Sequence, residues 1–336
     1  MLHVASLMTL LSLVGIITCF SSPKFISNSR ICTSSQIQSM NPQDDVDAVL
    51  PIPYSFGEMV RQSSLAIRDA YAAGKTRHIL RILLPRTPTS GQIGRFFESD
   101  VAPFLDDRNA NNEEIVKLVP PDETWQGGSL QLYRSCAPTV QEILKQVHLS
   151  SSATTIPPRL LEDRSVDESG VDGIGLWIAQ GISAQDDISC FVQPTQETIS
   201  RIEQLSKEAG GRLVALVNPQ WRTADDALDA VSRQDSFLGT LASFLGGKGN
   251  SLKTLEDLGY EPIYSYEGYV CKGGNVRLIK RFDQPWGIYA ENDAGTDYIL
   301  VGKSPIRPKY QDVEKMLDSK GISLKYARDI GLAPKF

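Results

Sequence analysis

Ile188-Ser189-Cys190-Phe191-Val192-Gln193-Pro194 and Leu213-Val214-Ala215-Leu216-Val217-Asn218-Pro219 are the two runs whose reading decides the fold. Each is a short apolar stretch closed by proline, which cannot donate to a ladder, so each reads as a buried strand. Between them Thr195 opens a segment in which Ile199, Ile202, Leu205 and Ala209 recur at helical spacing, and Gly210-Gly211 ends it. Strand, helix and strand within about 30 residues make a βαβ unit, which implies a parallel pair with a right-handed crossover. The expected class is α/β, with a mostly parallel, Rossmann-like sheet and flanking helices.

Upstream, Ser55 and Glu58 form a capping-box pattern. Phe56, Met59, Val60, Ile67, Ala70 and Tyr71 then follow helical spacing as far as Gly74. Residues 78–85 read as one buried strand ended by Pro85. Residues 86–128 carry no clear period, and a second helix is expected over 130–147. Ser, Thr, Pro and acids dominate 149–172, which reads as a flexible linker. Another strand follows at 174–179.

Downstream, residues 262–270, 276–282, 286–291 and 298–301 are strand-like. Turn signals separate them at 273–275, 283–285 and 292–295, which predicts an antiparallel C-terminal meander. A helix over 308–317 closes the chain, and the tail after Gly321 shows no partner. One α/β domain over residues 50–305 is expected, followed by a helix and tail over 306–336.

The N-terminus is of another kind. The first 43 residues contain no Asp or Glu. Residues 2–19 are almost wholly apolar, and 1–19 read as a signal peptide. Residues 20–43 are Ser-rich, with Lys24 and Arg30 as their only charges, and read as a transit peptide. The two in series resemble the bipartite address of secondary plastids, with Phe20 as the aromatic that opens the transit part. Import to the plastid stroma is the expectation. A single membrane anchor and ordinary secretion are the alternatives. Against the anchor stands the lack of a Lys/Arg cluster after the apolar run. Against secretion stand few cysteines and no Asn-x-Ser/Thr site.

Charge and motif content narrow the chemistry. The whole chain carries −6, so the part beyond residue 43 carries −8 once Lys24 and Arg30 are set aside. Such a body does not suit nucleic-acid binding, which needs clustered Lys and Arg to neutralise phosphates. Beyond residue 43 the chemistry-bearing residues are sparse: Cys136, Cys190, Cys271, His78 and His148, with no metal-ligand spacing. Gly246-Gly247-Lys248-Gly249-Asn250-Ser251 lacks the spacing of a phosphate loop. Neither a dinucleotide fingerprint after a strand nor a nucleophile elbow occurs. No catalytic residue, cofactor or metal is therefore expected. The acid pairs Asp186-Asp187 and Asp225-Asp226 read as solvated.

The candidate site rests on geometry. Ligands of open α/β sheets bind beyond the carboxyl ends of the strands. Three runs ending in Leu84-Pro85, Gln193-Pro194 and Asn218-Pro219 would put Arg86, Gln193, Asn218, Trp221 and Arg222 along one rim. That set offers an aromatic face and fixed donors, which suit binding better than bond breaking. The alternative is that the prolines merely end strands and Trp221 packs on the sheet edge. Residues 237–245 present Phe237, Leu241, Phe244 and Leu245 at helical spacing, as a core helix or as a peripheral membrane or partner face.

Leu216-Val217-Asn218-Pro219, Tyr264-Ser265-Tyr266 and Arg281-Phe282-Asp283-Gln284-Pro285-Trp286, with Pro53-Tyr54-Ser55-Phe56 upstream, carry a resemblance. They are similar to the family described as domain of unknown function nineteen ninety-five, found in plants, algae and cyanobacteria. That family includes the plant low-photosystem-II-accumulation protein three and a copy fused to a plastid adenylate kinase. The resemblance covers roughly residues 50–305 and departs from the compact pattern at 223–258. It implies a plastid setting, a protein partner of thylakoid or photosystem type, and a role as a photosystem assembly or accessory factor. It supplies no catalytic residues, and no kinase portion is present. The competing expectation is a small-molecule or nucleotide-binding enzyme that uses the rim.

Overall fold

The computed structural model describes residues 49–86, 117–119, 128–149, 159–165, 173–221 and 249–336. All lie in one compact unit spanning 42–336. The elements in chain order are α1 (Phe56–Ala72), β1 (Arg77–Arg81), β2 (Leu84–Arg86), β3 (Lys117–Val119), α2 (Gly128–Gln146), β4 (Leu161–Ser165), β5 (Gly175–Ala179), β6 (Ile188–Val192), α3 (Ile199–Ala209), β7 (Leu213–Val217), α4 (Gly249–Asp257), β8 (Glu261–Cys271), β9 (Gly274–Arg281), β10 (Trp286–Glu291), β11 (Tyr298–Ser304), α5 (Tyr310–Ser319) and α6 (Lys325–Asp329).

Nine strands form one sheet in the order β11-β10-β9-β8-β1-β7-β6-β5-β4. The four central strands, β8, β1, β7 and β6, are parallel. The expected meander, β8 to β11, is antiparallel. Strands β5 and β4 add antiparallel pairing at the opposite edge, so parallel pairing is confined to the centre.

Both faces are covered. Every residue of β7 is buried because Leu213, Ala215 and Val217 join the core under α1 and α2, whereas Val214 and Leu216 join that under α3 and α4. A third cluster seats Val313 and Leu317 of α5 on Leu278, Ile288 and Val301 of the meander. Ser55 caps α1 by accepting the Glu58 N–H at 3.1 Å, as its sequence predicts. The Glu58 carboxylate reaches the Tyr54 N–H, one residue before the cap.

Four expectations change. The apolar run 78–85 is not one strand: β1 stops at Arg81, and Leu84-Pro85-Arg86 turns away to pair with β3 in a separate two-stranded sheet. The stretch 149–172 contains β4, a polar edge strand whose Glu162, Asp163 and Arg164 gave no alternation to read. Arg159 fastens that region by donating to the Val147 carbonyl at 2.5 Å and the Asp186 carbonyl at 2.6 Å. Helix α4 arises from a segment with no expected element. The tail after Gly321 is docked. Arg328, 2% exposed, donates to both carboxylate oxygens of Asp293 at 2.8 and 3.0 Å. Asp293 in turn donates its main-chain N–H to the Phe336 carbonyl at 2.9 Å and accepts the Phe336 N–H through its side chain at 2.6 Å.

His78 gives the fold a pH dependence. It is fully buried on β1, with Nε2 3.0 Å from the Lys75 carbonyl and Nδ1 without a partner. Burial holds its pKa down at about 4 from 6.5, against the pull of the Lys75 carbonyl. A depressed base binds its proton in the unfolded chain first, so its stabilisation is complete above about pH 6.5 and is lost as pH falls towards 4. Between pH 7 and pH 5 the loss is expected to be about 2 kcal/mol. Urea unfolding of wild type and His78→Phe at both pH values measures it, and equal slopes in the two proteins would refute the assignment.

Candidate functional site

The parallel strands β6 and β7 are each followed by a residue in the left-handed region, Gln193 at φ 52° and Asn218 at φ 48°. Their N–H groups extend the ladder by one rung, Gln193 to the Val217 carbonyl at 2.8 Å and Asn218 to the Leu80 carbonyl at 2.9 Å. The turn to positive φ then aims both side chains into the protein. Both are buried, at 1% and 4% exposure. The Asn218 amide completes β1 where its strand pairing ends. Oδ1 accepts the Ile82 N–H at 2.8 Å, Nδ2 donates to the Ile82 carbonyl at 3.1 Å, and Nδ2 lies 3.7 Å from Cys136 Sγ. Burial pushes the Cys136 thiol up to about 12, although the Asn218 and Gln193 amides oppose the shift. This thiol is held protonated.

Two expected rim residues are thus brought together: Asn218 latches Ile82 and also lines the hollow described next, whereas Gln193 keeps its buried Nε2 without a hydrogen-bond partner. The amide chemistry was legible, whereas its direction followed from φ. Trp221 is 8% exposed and packs with Ile202, Leu216 and Leu255, as the packing alternative has it. Arg86 is not on this rim, because β2 leaves the main sheet and pairs it with Lys117. Arg222, Phe237, Leu241, Phe244 and Leu245 lie outside the described residues.

The crevice itself sits one strand over. The pairing of β8 with β1 ends at Ser265 opposite Arg81, but β8 continues to Cys271. Its segment Tyr266, Glu267 and Gly268 therefore flanks a hollow of about 130 Å³ whose other walls include Arg81, Gln220 and Arg307. That volume holds one small molecule and falls well short of the roughly 300–1,000 Å³ usual for larger ligands. Arg81 donates to the Trp221 carbonyl at 2.9 Å, holding the turn after β7. Arg307 donates to Glu267 at 2.7 Å. Gln220 donates to the Asn218 carbonyl at 3.1 Å. Tyr266 is 4% exposed, and burial pushes its phenol up to about 12. The walls supply charge and hydrogen bonds already directed at one another.

Sequence reasoning missed Arg81, Glu267 and Arg307. Arg81 reads only as one polar residue within an apolar strand, and the other two meet it only through the β1–β8 register. Among the described residues no three His, Cys, Asp or Glu side chains come together as metal ligands would.

Neither the curated proteins nor the solved structures contain a significant match to this chain. Residues 53–315 match the model of the family described as Domain of unknown function (DUF1995). They span α1 through most of α5 and include both strand-end turns and the crevice, and the chain belongs to that family.

Proposed function

We propose that this is a plastid protein that works by binding a protein partner, as an assembly or accessory factor of the photosystems, and that it does not itself break bonds. The observation that carries the reading is the state of the strand-end crevice. Asn218 is engaged by Ile82, Arg81 by the Trp221 carbonyl and Arg307 by Glu267. Tyr266 on the crevice wall and Cys136 beneath Asn218 are shifted away from neutral pH, and the Glu267 carboxylate is engaged by Arg307. A site built in this way presents a shape. A general acid or base needs a pKa near the working pH. The plastid setting is supported by the acid-free, Ser-rich first 43 residues and by the family's occurrence in plants, algae and cyanobacteria. The parallel centre with helices on both faces supports a Rossmann-like description of the core.

Affinity purification from plastid extract, under conditions that preserve weak complexes, tests the partner. Recovery of thylakoid or photosystem subunits is expected, and recovery of free monomer alone would count against the reading.

The hollow of about 130 Å³ at the carboxyl ends of β1 and β7 favours a second reading, a small-molecule binder. A ligand that binds only the native state raises the melting temperature. Thermal shifts with nucleotides and sugar phosphates would support that reading, and a flat response across both classes would remove it.

The address is tested separately. A fluorescent reporter fused to residues 1–45 is expected to reach the plastid stroma in an alga with a secondary plastid. Phe20→Ala should enter the secretory route and stall before the inner envelopes. Secretion of the unaltered fusion, or its retention in the plasma membrane, would remove the localisation.

A further inference from the structure

Four large apolar side chains fall within nine residues of the tail and face solvent: Leu324 (59% exposed), Tyr326 (75%), Ile330 (51%) and Leu332 (78%). The tail cannot turn them inward, because other contacts fix it. Ile322 is in the meander core, and Arg328 is buried on Asp293. The segment also crosses one end of the sheet. Lys325 N–H bonds the Lys272 carbonyl at the β8–β9 turn, and Phe336 bonds Asp293 at the β10–β11 turn. Val270, 59% exposed, lies two residues before the first of these turns.

The charge of this segment opposes that of the whole chain. Residues 320–336 carry Lys320, Lys325, Arg328 and Lys335 against Asp329, in a chain of net charge −6. With Arg328 neutralised by Asp293, three lysines face one acid. Among the acids of the adjoining turns, Lys272 neutralises Asp318, while Glu291 and Asp297 are hydrogen-bonded to Asn275 and Tyr54 and keep their charge.

We propose that residues 320–336, with Val270, form a peripheral docking face for an anionic lipid surface. Leu324, Tyr326, Ile330 and Leu332 enter the boundary of headgroups and acyl chains, and Lys320, Lys325 and Lys335 meet the headgroup phosphates. Tyrosine suits that boundary, being apolar along the ring and polar at its tip. The contact is superficial: no described helix is long and apolar enough to cross a membrane. A second copy of the chain fits less well, because a twofold contact would set the same lysines against one another. The inference does not depend on the plastid reading.

The test uses residues 42–336, the compact unit, so that the apolar stretch 2–19 does not itself bind bilayers. Co-sedimentation is measured with vesicles of equal parts phosphatidylcholine and phosphatidylglycerol, and with phosphatidylcholine alone. Wild type should sediment with the anionic vesicles and far less with the neutral ones. Tyr326→Ser combined with Leu332→Ser should weaken anionic binding at least ~10-fold, since two large apolar side chains no longer leave water. Lys320→Gln, Lys325→Gln and Lys335→Gln together should weaken it by a similar factor and flatten its salt dependence. All five positions lie outside the cores, so the melting temperature should match wild type. Failure of wild type to sediment, or unchanged binding by both variants, would overturn the proposal. So would loss of a concentration-dependent dimer in the serine variant, which would assign the face to self-association.

Discussion

Asn218→Ala is expected to destabilise the fold by about 3–5 kcal/mol, a large share of the roughly 5–15 kcal/mol that holds a typical domain. Two buried main-chain groups lose their partner together, the Ile82 N–H and carbonyl, which the Asn218 amide serves at 2.8 and 3.1 Å. Each orphaned group costs about 1–3 kcal/mol. Alanine adds strain, because φ at this position is 48° and asparagine tolerates the left-handed region better than other residues with a Cβ. Asn218→Gly relieves the strain and leaves the orphans, so it should regain about 1 kcal/mol of the loss. Urea unfolding of the three proteins checks the order wild type, glycine, alanine. An alanine variant within about 0.5 kcal/mol of wild type would mean that the latch adds nothing to stability.

Arg77→Met should cost a similar amount, about 3–5 kcal/mol, through a different part of the molecule. Arg77 opens β1 and is 8% exposed. Its guanidinium donates to the carbonyls of Ser206 at 2.6 Å, Gly210 at 2.7 Å, Arg212 at 2.8 Å and Thr76 at 2.9 Å. Ser206 belongs to the last turn of α3, and Gly210 directly follows the helix. One cation therefore satisfies carbonyls that the helix end leaves open and complements its dipole. Methionine fills much of the volume and bonds none of them. Arg77→Lys keeps the charge but not the planar fork, so it should recover only part of the loss. Hydrogen exchange read along α3 locates the effect. Protection lost evenly across the whole sheet, and not first at the end of α3, would contradict the capping role.

Sequence reading worked best where punctuation was local. The limits of β6, β7 and β10 are those expected, because Pro194, Pro219 and the turns around 283–285 and 292–295 bound them. It failed where a distant side chain decides the backbone. Nothing in Ile79-Leu80-Arg81-Ile82-Leu83-Leu84 signals a break, since the group that ends the strand pairing and takes over Ile82 is the amide of Asn218. The site shows the same division. Gln193 and Asn218 were found at the right strand ends, but their inward aim depends on φ, which their residue types permit without requiring. Arg81, Glu267 and Arg307 come from three segments that meet only through the β1–β8 pairing.

The position of β1 has a kinetic consequence. Arg77 pairs with Val214 on one side and His78 with Glu261 on the other, whereas β8 to β11 each pair with strands next to them in sequence. Local pairings close cheaply and distant ones slowly, so the meander is able to form while β1 still waits for both neighbours. A chain released N-terminus first, from a ribosome or through a pore, carries β1 unpaired until residue 217 has emerged and with one edge open until residue 265 has. Over that interval this part of the chain stays threadable, and its apolar segments are open to chaperones.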